Sequence, residues 1–242
     1  GLWSRTRGYL IGCGVGRLPF GLTLFKRMLR ECKATGEEGE ARIAWELCVS
    51  LSNIIAFNSG IRREVLSLME GVFRLLSPKD LAILVGRFVK ECPYPPLVAW
   101  ALHMLKTEIT PEWPVVPKGL ENGYVVNILL DSMGETREDS KSPILAVHRL
   151  DILAVCVNVF RFMILRETAK GTHNKIGPCL KASKVIMSKL LQLKSEIKTM
   201  LTETYIPSTS KDEVVNAAIV RNQLSMLLNV VERNLELLTI GV

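Results

Sequence analysis

Apolar residues recur at intervals of three and four along most of the chain, the spacing of a helix with one buried face. Period-two alternation bounded by hairpin turns is not found. Over Ala41 to Phe57 the repeat Ile43, Leu47, Leu51, Ile54 and Ile55 predicts a helix that stops at Asn58-Ser59-Gly60, where glycine suits a C-cap. Ile61 to Leu76 places Val65, Leu68, Met69 and Val72 on one stripe. Ser77-Pro78 then reads as the N-cap and first-turn proline of a helix to Glu91, through Leu81, Leu84, Val85 and Phe88. Pro93, Pro95 and Pro96 predict a short extended break, because each ring removes a donor and disfavours helix in the residue before it; the next helix is expected from Leu97 to Ile109.

Pro111 to Pro117 reads as an irregular connector, followed by a shorter helix from Glu121 to Met133 and a polar loop from Gly134 to Ser142. The segment from Pro143 to about Glu167 is apolar nearly all round between Ile152 and Val159, which predicts a central helix. After a loop from Gly171 to Pro178, the stripe Ile186, Leu190, Leu193, Ile197, Met200 and Leu201 predicts a long helix from Leu180 to about Tyr205. A closing helix from Asp212 to Leu238 spaces Val214, Ala217, Leu224, Leu228, Val231, Leu235 and Leu238 by threes and fours. The expected fold class is all-α. Stretches 41–76 and 78–109 are each a helix pair of roughly 35 residues, close to the period of solenoid repeats. This points to a degenerate HEAT/armadillo-like α-solenoid of antiparallel helix pairs, with the long C-terminal helices as a cap. The divisions read from the chain are a glycine-rich, basic segment at a fragment edge (1–36), helical repeats (37–110) and a C-terminal helical domain (111–242) as the partner-binding region.

Composition narrows the class. With 242 residues, 48% of them hydrophobic, and 31 Lys plus Arg against 24 Asp plus Glu, the chain is too apolar for a disordered protein. The six cysteines, at 13, 32, 48, 92, 156 and 179, form no closely spaced pair, so neither a zinc site nor a dense disulfide framework is expected. They read as reduced thiols in helical core positions, which suits the cytoplasm or nucleus. Leu10 to Phe25 is apolar, but glycines, Arg17 and Pro19 interrupt it, and it falls short of the ~20 residues a membrane helix needs. Cations precede the first acid, Glu31, as in an organellar transit segment; this is the minor reading of the N-terminal stretch.

Candidate chemistry is sparse. Gly12-Cys-Gly14-Val-Gly16 lacks the Lys-Ser or Lys-Thr and the flanking strand of a phosphate loop, so it reads as a plain loop. His103, His148 and His173 stand far apart without ligand-spaced partners, and no Ser or Cys sits in a nucleophile-elbow context. The expectation is no enzyme, no metal, no cofactor and no small-molecule substrate. Charge is more informative. Residues 1–40 carry +3, 41–160 carry −1, 161–200 carry +7 and 201–242 carry −2. Lys181, Lys184, Lys194 and Lys198 are placed opposite the apolar stripe of their helix, which makes an exposed basic face. A solvated surface is the plain alternative. Nucleic acid is disfavoured as the partner, because the patch is Lys without Arg and aromatics interleaved. An acidic protein fits better. Arg233, near the end of the last helix, and Trp113, in the proline-rich connector, join the four lysines as candidate partner contacts.

Leu150 to Glu167, the loop Lys170 to Gly177, the helix through Lys194-Ser-Glu-Ile197 and the closing run Leu224 to Leu238 together resemble the C-terminal region of the glomulin family, its plant aberrant-root-formation branch most of all. The resemblance covers about residues 80–240 and lies in the order and spacing of apolar helices. It implies a HEAT-like array whose C-terminal domain grips the RING-box subunit of cullin–RING (SCF-type) ubiquitin ligases and masks the surface that recruits the ubiquitin-conjugating enzyme. In plants it implies a link to lateral root formation and auxin signalling. The alternative expectation is a generic HEAT/armadillo-like interaction scaffold for another acidic partner.

Overall fold

In a computed structural model of the chain, the residues described are Arg27 and 40–57, 62–109, 123–134, 143–170, 184–203 and 211–240. Every regular element among them is an α-helix, and the fold class is all-α. In chain order the helices are α1 (Glu40–Phe57), α2 (Arg62–Phe73), α3 (Pro78–Glu91), α4 (Pro95–Ile109), α5 (Tyr124–Ser132), α6 (Pro143–Lys170), α7 (Lys184–Glu203) and α8 (Lys211–Ile240). Contacts divide the chain into two compact units, Gly1–Leu97 and Val98–Val242. The glycine run Gly12 to Gly16, Cys13, Cys32, Cys179, His173, Trp113 and Lys181 lie outside the described residues.

The element boundaries correct the sequence reading at two prolines. α2 ends at Phe73 rather than Leu76. The Leu75 and Leu76 amides turn back to the carbonyls of Val72 and Phe73 at 3.1 and 3.3 Å, and Pro78 holds Ser77 extended at φ −64°, ψ 154°. Ser77 then caps α3: its Oγ accepts from the Asp80 amide at 3.2 Å and donates to the Asp80 carboxylate. Pro95 and Pro96 do not extend the break before α4. They open the helix, where the missing amide would have had no intrahelical acceptor, and the break shrinks to Cys92–Tyr94. α5 begins after Gly123, whose φ of 76° is a left-handed conformation that a side chain would strain.

In the first unit α1 contacts both α2 and α3. Trp45 of α1 meets Phe88 of α3 edge-on, with ring centroids 5.2 Å apart, and Phe73 of α2 tilts against Phe88 at 5.7 Å. Phe73 and Phe88 are among the fully buried side chains, so each ring contributes on the order of 2–3 kcal/mol of hydrophobic stabilisation. The Arg87 guanidinium covers the outer face of Trp45 at 5.1 Å while pairing with Glu91. Eight residues after Trp45, Asn53 accepts from the Tyr94 hydroxyl at 3.2 Å, six residues after Phe88. Contacts that advance together along both segments mean that α1 and α3 run in the same direction.

In the second unit α8 packs against both α6 and α7, and α5 against α6. The expectation of a central α6 holds: Cys156, Val157, Val159, Phe160 and Met163 are completely buried, an arc too wide for a single neighbour. Asp151 and Asn158 mark its outer side. On α7 the buried stripe is Ile186, Leu190, Leu193 and Ile197; on α8 it is Leu224, Leu227, Val231, Leu235 and Leu238. Asn234 lies in the α8 stripe, fully buried, and donates to the Val157 carbonyl of α6 at 2.9 Å.

Candidate functional site

Lys194 follows Leu190 by one helical turn, so it borders the buried stripe of α7 rather than opposing it. From there it donates to Glu232 Oε1 of α8 at 2.9 Å, and Lys198, the next residue on the same row, lies 3.7 Å from the same oxygen. The Glu232 carboxyl is held below the usual glutamate range, first by the Lys194 hydrogen bond and then by the charges of both lysines, with burial acting against them. All three side chains are about a third exposed or more, so each pair contributes on the order of 0.2–1 kcal/mol.

This clamp also fixes helix direction. If α7 and α8 were parallel, Lys211 would lie roughly 40 Å from Glu203 at 1.5 Å rise per residue. The seven residues 204–210 reach at most about 27 Å across their eight links, so the helices are antiparallel. With residues 194–198 level with Glu232, the end of α7 comes level with about residue 225, and the first part of α8 runs on beyond it. Burial agrees: no residue from Ala217 to Asn222 or Gln223 is buried, whereas Leu224 is 1% exposed.

Beside the clamp a wide-mouthed concavity of about 530 Å³ opens between α6 and α8, lined by Arg161, Asn229, Val230, Glu232, Arg233 and Glu236. Arg233 pairs with Glu236 at 2.9 Å, and Glu232 serves the two lysines. Half-buried Arg161 has no carboxylate within salt-bridge distance among the described residues. Counting the lining and its ion-pair partners, four cations (Arg161, Arg233, Lys194, Lys198) meet two carboxylates. On α8, Met226 and Val230 are one turn apart on the row that leads into the concavity, and Met226 is 69% exposed.

The structure therefore brings three of the sequence-predicted residues, Lys194, Lys198 and Arg233, around one stretch of α8. Lys184 is exposed at the start of α7, ten residues before Lys194 and so about 15 Å along the helix from it. Lys181 and Trp113 lie outside the described residues. Sequence reading missed Arg161, Asn229, Glu232 and Asn234. Arg161 sits in the +7 segment and was legible there; the role of Glu232 was hidden because its lysine partners lie 34 residues or more away along the chain.

Among the described residues no group of three or more His, Cys, Asp or Glu is placed to hold a metal ion, and no helix is long and apolar enough to cross a membrane. Cys48 and Cys156 are buried free thiols; burial raises both, Cys156 to about 12, and also raises half-buried Cys92. Such environments suppress the thiolate, the opposite of an activated nucleophile. Comparison with protein-family models, curated protein sequences and solved structures finds no match.

Proposed function

We propose that the chain is a non-enzymatic regulator that binds the RING-box subunit of a cullin–RING (SCF-type) ubiquitin ligase through its C-terminal helices and blocks recruitment of the ubiquitin-conjugating enzyme. In a plant this would connect it to lateral root formation and auxin signalling, and place it in the cytoplasm or nucleus. The reading rests on the resemblance of residues 80–240 to the glomulin family. The observation that supports it is the cation excess gathered on α6, α7 and α8 by Arg161, Lys194, Lys198 and Arg233, on helices packed around one core. A rigid wall of this kind acts by covering a partner's surface, which requires shape and charge complementarity but no reacting group.

Calorimetric titration of the chain with purified RING-box protein, beside an assay of ubiquitin-chain formation, tests the reading. Micromolar or tighter association with slowed chain formation, both weakened by Lys194→Glu with Lys198→Glu, is expected. No association at micromolar concentration and no slowing refutes it. A different acidic partner that depends on the same lysines would identify the chain as a scaffold of another assembly.

A further inference from the structure

Along α8 from Ile219 to Glu236, two features are left over from the packing among the described residues of its unit. Ile219 and Met226 are 51% and 69% exposed, and with half-buried Val230 they fall on one row of the helix. Where this row reaches the concavity, the Arg161 guanidinium of α6 stands at its edge, half-buried and without a carboxylate among the described residues. The carboxylates at the rim are already engaged, Glu232 by two lysines and Glu236 by Arg233. A half-buried arginine facing a polar hollow favours an incoming carboxylate, with which it makes bidentate hydrogen bonds. The neighbouring apolar row favours a segment that brings a large apolar side chain beside that carboxylate. A second copy of this chain is a poor occupant, because its own Arg161 and surplus lysines would be brought against like charge, and the whole chain carries +7.

We infer that the α6–α8 concavity and the Ile219–Met226–Val230 row form a docking site for an acidic protein segment with an apolar anchor, its carboxylate received by Arg161. The inference rests on the partner-binding reading only in taking this wall as a docking face, and not on which ligase subunit or other protein carries the segment.

The probes are three fluorescein-labelled 14-residue peptides of equal length: one alternating glutamate-rich turns with leucines at helical spacing, one with every glutamate replaced by lysine, and one with every leucine replaced by serine. Fluorescence anisotropy with the full chain is expected to show the acidic, leucine-bearing peptide binding at least tenfold more tightly than either control. Arg161→Glu is expected to weaken it tenfold or more, Arg161→Gln and Met226→Ser threefold or more, and Lys79→Glu less than twofold. Circular dichroism of each variant confirms that it is folded, and Met226→Ser provides a second arm because an exposed residue is altered. Equal binding of the serine peptide, absence of binding by the acidic one, or indifference to both Arg161 and Met226 overturns the inference. So does a dimer in sedimentation velocity that Met226→Ser dissolves, which would assign the row to a second copy. If RING-box protein fails to bind while the acidic peptide binds through Arg161, the ligase reading falls and the docking site stands. If RING-box protein binds while the acidic peptide is indifferent to both Arg161 and Met226, the ligase reading stands and the docking site falls.

Discussion

Replacing Asn234 with Asp is a substitution of almost unchanged shape whose cost is set by the surroundings. Asn234 is fully buried on α8, its amide nitrogen donates to the Val157 carbonyl at 2.9 Å, and its Oδ1 has no hydrogen-bond partner. A carboxylate there would face a carbonyl acceptor with no donor, so burial and repulsion both favour the protonated form, which can still donate to Val157. The new carboxyl is therefore expected to titrate well above ~3.9, its value in an unfolded chain, by as much as 3–5 units. The folded state then holds a proton that the unfolded state has released, and stability falls as pH rises from about 4 until the raised folded value is passed. At 1.36 kcal/mol per unit, the loss at pH 7 is about 4 kcal/mol, a large part of the 5–15 kcal/mol typical of a domain. Near pH 4 it shrinks to about 1 kcal/mol, the scale of one weakened hydrogen bond. Urea unfolding of the protein and of Asn234→Asp at pH 4, 5.5 and 7 measures the trend. A difference below 1 kcal/mol at pH 7, or one that does not change with pH, would mean that water reaches the site and that the buried α6–α8 contact is wrong. Asn234→Leu is the companion: it removes the orphaned acceptor, a relief of about 1–3 kcal/mol, against a lost bond of about 1 kcal/mol and some crowding, so it is expected to be neutral to stabilising.

Three further outcomes follow from other contacts. Glu232→Gln should cost about 0.5–1 kcal/mol at pH 7 by chemical denaturation; because the Glu232 carboxyl is held low, that difference is full above the ordinary glutamate range near 4.3 and closes as pH falls through the folded value, and it should also shrink in 1 M salt. A constant difference down to pH 2 would rule out the Lys194–Glu232–Lys198 clamp. Phe88→Ala empties the junction of Trp45 and Phe73 and should cost about 3–5 kcal/mol by the same measurement; a loss under 1 kcal/mol would contradict the aromatic core. In the folded protein, iodoacetamide at pH 8 followed by mass spectrometry should modify Cys92 well before Cys48 and Cys156, which should react only on unfolding. Equal rates would refute the assigned burial.

Helix content and the inward faces were legible in the residue order because a helix positions its own side chains: three- and four-residue spacing is a local property, and the stripes Val65–Met69–Val72 and Ile186–Leu190–Leu193–Ile197 are buried as that spacing requires. Ser77-Pro78 likewise announced the cap that the structure contains, since capping is settled within four residues. The same local rules misplaced the entry to α4, where prolines can end one helix or begin another and only the surrounding chain selects between them. The basic character of residues 161–200 was visible as a count, but which charges remain available was not. Lys194 and Lys198 are partly neutralised by Glu232, 34 residues or more away along the chain, while Arg161 gains weight because nothing among the described residues answers it. Asn234 went unnoticed in the residue order, and its role shows only where α6 brings the Val157 carbonyl to its amide. Periodicity thus determined what each helix buries, and tertiary packing alone decided which charges cancel, because Coulomb and hydrogen-bond energies depend on distance in space and are blind to distance in sequence.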